Sequence, residues 1–193
     1  MGSSYAYPVL ETTDPAEALA AVGRLMDLAV SRTPAPLIAG EVLVRTAESA
    51  RRIAVVLPLG SVFRSGEDER PFWTAPHALA QDLESLEALL PATAELPEDA
   101  PAGTFEAALV AAAGPAPGWI HWELAGWPAM PGREAEGQYC GVQLCLNSRD
   151  LRPDRPVTGH MLYVCTRQDD QERAEWLASR AGLRLVGPAS PSV

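Results

Sequence analysis

The run Gly118-Trp119-Ile120-His121-Trp122-Glu123-Leu124 decides the fold class. Read as a strand, its alternate residues share a face: Trp119, His121 and Glu123 point one way, Ile120, Trp122 and Leu124 the other. Two further strands follow, Gln138 to Asn147 and His160 to Thr166, joined by a Pro- and charge-rich connection. A short Ala-rich helix, Phe105 to Ala113, precedes the run and is stopped by Gly114-Pro115. A second helix comes after it, with Asp169 as N-cap, Glu172 three residues on and Gly182 just past the end. Leu183 to Val186 reads as a last short strand, followed by a loose tail. The strand-helix-strand order at this end would suit a right-handed crossover and one parallel pair.

The first half repeats the order of elements. Asp14-Pro15-Ala16-Glu17 is a helix start with an acid N-cap, a proline at the first helical position and a glutamate at the third. Leu19, Val22, Met26 and Val30 then fall on one face, with Leu25 and Ala29 beside them. Leu37 to Thr46 and Arg51 to Leu59 read as strands joined by a hairpin turn at Ala47-Glu48-Ser49-Ala50. Ile53, Val55 and Leu57 alternate with Ala54 and Val56, as in a strand buried on both faces. Ser61 to Arg70 is polar and reads as a loop, and Pro76 to Leu90 as a helix with an apolar stripe of leucines.

These elements predict an α+β fold, mainly antiparallel, with helices on one face and two similar-sized halves compatible with an old duplication. Residues 1–91 form the first half, 92–103 a Pro/acidic linker and 104–193 the second half. The halves either stand apart or share one sheet.

Composition narrows the chemistry. The chain has 193 residues, 47% hydrophobic and 21% charged, so it buries a sizeable core. All fifteen positive side chains are arginine. The absence of lysine fits a high-GC, bacterial-like codon bias, and it closes Schiff-base and P-loop mechanisms. A net charge of -10, with arginines scattered among acids, disfavours nucleic acid and anionic membranes. The same charge suits a basic protein partner. No apolar run spans a bilayer and no signal peptide shows. Three cysteines, an odd number, fit a reducing cytoplasm better than a disulfide framework. A homo-oligomer is compatible with all of this.

Chemistry-bearing residues gather around the opening run. His121 beside Glu123 on one face is the minimum for an oriented general base, and Trp119, Trp122 and Trp127 would wall a pocket. No nucleophile is tied to them by spacing, and packing of the indoles competes with that reading. His121, Cys140, Cys145, His160 and Cys165 lack the short paired spacing of a zinc site, so neither metal nor cofactor is expected. Dinucleotide and P-loop motifs are missing too. Trp73, Trp127 and Met130 lie among prolines and glycines, a setting that presents apolar area from a rigid backbone. The leading expectation is therefore an acidic cytoplasmic protein-binding module of the immunity, chaperone or adaptor kind, without catalysis of its own. The alternative is a small-molecule-binding protein or enzyme with a Trp-lined pocket, using His121 and Glu123.

Overall fold

The computed structural model describes residues 4–30, 36–58, 60–65, 90–97, 100–103, 105–151 and 156–192. Trp73 and nearly all of the helix expected over 76–90 lie outside them. Local signals hold where caps are explicit. Helix α1 (Pro15–Met26) begins with the Ala16 amide donating to the Asp14 carboxylate at 2.8 Å, and Pro15 sits in its first turn. Strand β1 (Ser4–Thr12) precedes it, although its Pro8 argues against a strand. The pairing of β1 shifts register between Pro8 and Leu10, an irregularity at which a residue without an amide hydrogen is tolerated.

Strand β2 (Leu37–Val44) is followed by a helix, not by the expected hairpin and second strand. Helix α2 (Ala47–Val56) starts at a capping box: Thr46 accepts from the Ser49 amide, and the Ser49 hydroxyl reaches back to the Thr46 amide. The buried residues of α2, Ser49, Ala50, Ile53 and Ala54, recur at helical spacing, which outweighs the β-branched composition of the run. Val55, which a doubly buried strand would hide, is exposed. Strand β3 (Val62–Ser65) occupies part of the stretch read as a loop. Residues 92–95 and 100–101, within the stretch read as a linker, form β4 (Ala92–Glu95) and β5 (Ala100–Pro101), both paired with β2.

Helix α3 (Glu106–Ala113), strands β6 (Gly118–Glu123), β7 (Gly141–Leu146) and β8 (His160–Arg167), and helix α4 (Gln171–Arg180) follow the expected order. The N-cap of α4 is Asp170, one residue beyond the expected Asp169. Residues 183–186 are not a strand. The last strand is instead β9 (Ser190–Ser192), in the tail expected to be loose, and it pairs with β1. Among the described residues the strands run β3-β4-β2-β6-β7-β8-β1-β9, with β5 also on β2, in one nine-stranded sheet. Every pairing among the described residues is antiparallel, so no parallel crossover forms there. Strand β1 pairs with β8 on one side and β9 on the other, so the last two strands of the chain flank the first.

The core lies between this sheet and the helices. Ala21 and Leu25 of α1, Ile53 of α2, Leu109 of α3 and Leu177 of α4 join one cluster with Val42, Ile120, Trp122, Leu144, Leu162 and Val164 from the sheet. A small second cluster, Ala6, Cys145, Met161, Tyr163 and Cys165, lies on the other face, with Trp119 and Leu151 packed against it. No described helix is long and apolar enough to cross a membrane.

Candidate functional site

Antiparallel register assembles the second face row by row. One row runs Ala39, His121, Gln143, Tyr163 and Pro8 across β2, β6, β7, β8 and β1. The next runs Glu95, Glu41, Trp119, Cys145 and Met161 across β4, β2, β6, β7 and β8. Leu37, Glu123, Gly141 and Cys165 form the row on the other side of His121. Trp119, His121 and Glu123 thus share the face opposite the described helices, while Ile120 and Trp122 point into the core.

His121 lies against Gly141. A Cβ at Gly141 would meet the imidazole Cε1 at 2.7 Å and Nε2 at 2.8 Å, so glycine leaves the space the ring fills. Burial pushes the His121 pKa below the usual imidazole value, opposed by the nearby Glu123 carboxylate and a hydrogen bond with Gln143. Gln143 is held in turn: its amide donates to the Leu151 carbonyl at 3.0 Å. Tyr163 donates its hydroxyl to the Arg149 carbonyl. The loop after β7 is thereby drawn over the row.

Beside His121, the Trp119 indole donates to Glu41 Oε2 at 3.4 Å. Glu41 stands directly opposite Glu95 in the β2–β4 pair. Burial raises the Glu95 carboxyl, Arg64 lowers it across a 2.6 Å ion pair and Glu41 raises it again, with a net upward shift. Two carboxylates facing each other across a ladder are destabilising unless a cation offsets them.

The three indoles expected around one pocket do not converge. Trp122 is buried on the helix side, and its Nε1 donates to Glu106 at 3.3 Å. Trp127 is fully buried, with Nε1 donating to the Cys165 carbonyl at 2.8 Å. Trp127 anchors a two-stranded loop: it exchanges backbone hydrogen bonds with Glu136, and half-buried Met130 does so with Arg133 around Pro131-Gly132. Buried Arg173 fastens that loop to α4, donating to Asp170 at 2.7 Å and to the carbonyls of Pro128 and Glu134 at 2.8 Å. Arg133 adds a second ion pair to Asp170, at 2.8 Å. Met130 is thus carried on a rigid loop, and Trp127 is part of what makes it rigid.

The thiols are poor nucleophiles as placed. Burial pushes Cys140 up to about 11 and both Cys145 and Cys165 up to about 12. Cys140 belongs to the helix-side core and Cys145 to the other face. Among the described residues no group of three or more His, Cys, Asp or Glu side chains is placed to hold a metal. Glu41, Gln143 and Tyr163 are the site residues that sequence reading missed. Alternation within 141–146 and 160–167 would have put Gln143, Cys145 and Tyr163 on one face, but Glu41 comes to Trp119 only through long-range register. No protein-family model matches the chain, and no curated protein or solved structure matches it.

Proposed function

We propose that the chain is an acidic protein-binding module of the immunity, chaperone or adaptor kind, without catalysis of its own, and that it docks a basic protein surface around Trp119, on the face opposite the described helices. One observation carries the reading: half-buried Trp119 is tied to Glu41, which faces Glu95 across the β2–β4 ladder, and among the described residues Glu95 is ion-paired with Arg64 while Glu41 has no ion pair. An aromatic side chain with one polar end held in place is a frequent anchor of protein interfaces. A guanidinium or ammonium group from a partner would relieve the opposed carboxylates. The net charge of -10 would steer such a partner inward.

The test is capture of partners on the purified chain, their identification, and titration of each purified partner against wild type, Trp119→Ala and Glu41→Gln. A basic partner whose affinity falls at least tenfold with Trp119→Ala and weakens with added salt supports the reading. A partner that binds all three proteins equally, or a small ligand that raises the melting temperature when no protein is captured, overturns it. The competing reading, a small-molecule site on His121 and Glu123, keeps the contact among His121, Glu123 and Gln143 as its support. Under it, His121→Ala removes ligand binding without unfolding the chain.

A further inference from the structure

A second site lies away from the Trp119 face. A cleft of about 210 Å³ opens between the start of α2 and the turn after α3, lined by Leu43, Arg45, Arg52, Ala116, Pro117 and Pro156 among others. We propose that it binds a small organic monocarboxylate, with the apolar body against the prolines and alanines and the carboxylate on the guanidinium groups of Arg45 and Arg52.

The walls are fixed before any ligand arrives. The Asn147 side-chain amide donates to the carbonyls of Gly114 at 2.7 Å and Ala116 at 3.0 Å, which pins the turn. Arg52 reaches across from α2 to the Ala112 carbonyl at 3.3 Å. The hydroxyls of Thr46 and Ser49 are engaged with each other and with the local backbone, and the Ser49 amide is capped by Thr46. Recognition of charge therefore falls to the arginines.

Their charge count sets the ligand class. Arg52 is paired with Glu48 at 2.8 Å, whereas Arg45 has no ion pair or side-chain hydrogen bond among the described residues. One uncompensated positive charge matches a monoanion better than a dianion. Arginine also suits the planar, two-oxygen geometry of a carboxylate. A cavity of roughly 150 Å³ takes up benzene, so this cleft admits a body of about that size plus its carboxylate. The acidic surface elsewhere does not prevent binding, because charges beyond about 8 Å are largely screened at physiological salt.

The probe is benzoate, followed by two-dimensional amide NMR at constant ionic strength, with benzamide as the neutral and phenyl phosphate as the dianionic counterpart. Saturable shifts at Ala47, Ser49, Ala113 and Ala116, weakened about tenfold by Arg45→Gln and by the change to benzamide, support the site. The Arg45→Gln spectrum without ligand should match wild type elsewhere. Absence of saturable shifts, or equal binding of benzamide, overturns the proposal independently of any variant. Tighter binding of phenyl phosphate than of benzoate overturns the monoanion assignment.

Discussion

The two faces of strands β6 to β8 are made by the same residues taken alternately, yet they are built by different rules. On the helix side, Ile120, Val142, Leu144, Leu162 and Val164 join the cluster that the helices cover, and a buried polar contact at Trp122 is closed on itself. There the Glu106 carboxylate, buried beside the Trp122 indole, also accepts from the amides of Gly103 at 2.5 Å and Phe105 at 3.0 Å. On the other side, Trp119, His121, Gln143, Cys145 and Tyr163 place polar atoms among apolar ones, and Glu41 faces Glu95. A face whose buried carboxylate is satisfied by its own amides and indole supplies stability. A face that leaves like charges opposed has capacity left for something else.

The widest gap between the faces should appear in their tryptophans. Trp122→Ala is expected to cost about 3–5 kcal/mol, as for large aromatic truncations in cores, and Trp119→Ala well under half of that. Denaturant midpoints measure both, and similar losses would show that the Trp119 face is part of the core.

The glycines come next. At Gly118 an added Cβ meets the Glu41 carbonyl at 2.5 Å and Val42 Cα at 3.0 Å, backbone that cannot step aside. At Gly141 the nearest atoms belong to the His121 ring, a side chain. Gly141→Ala should cost about 1–3 kcal/mol, the usual range for overpacking, and Gly118→Ala more. Adding His121→Ala should recover part of the Gly141→Ala loss and none of the Gly118→Ala loss.

Acid should separate the faces by pH window. Burial depresses the His121 pKa, so the unfolded chain binds its proton first and the folded state loses stability as pH falls below the ordinary imidazole value of about 6.5. Burial alone would raise the Glu106 carboxyl, but the amides of Gly103, Glu106 and Phe105 and the Trp122 indole together hold it below the usual value. Its contribution is therefore present above the ordinary carboxylate value and is lost only as pH falls further, through its depressed folded value. Urea midpoints across pH should lose the upper step in His121→Asn, apart from the share of His160, also depressed by burial. The lower step should shrink in Glu106→Gln.

The smallest effect concerns a boundary of the helix layer. Thr46→Ala removes the cap that turns residues 47–56 into a helix, and about 1 kcal/mol is the ordinary cost.

Which parts of this were legible follows from how local each cause is. Asp14-Pro15 starts α1 through its nearest neighbours, and the alternation in 118–123 sorts Trp119 from Trp122 without any other strand. Helix α2 was hidden because its cap uses Ser49 where a glutamate or glutamine is the familiar signal, and because Ile53 to Leu57 has a β-branched composition. Strand β1 was hidden by Pro8, whose cost is removed only by a register shift against a partner far along the chain. The same holds for the site. Trp119, His121 and Glu123 could be placed together, but Glu41 and Glu95 arrive by pairings that no short window contains.

Strand β1 has one more consequence, in mechanics. Ser4 and Ser192, separated by 188 positions in sequence, face each other across the antiparallel β1–β9 pair. Tension applied at these two residues pulls the strands apart from their shared end, so the backbone bonds of β9 are loaded one after another and not all at once. The short edge strand peels away first, and only then does the load reach the long pairing of β1 with β8. The molecule would yield in two stages, a soft clasp before a stiff sheet.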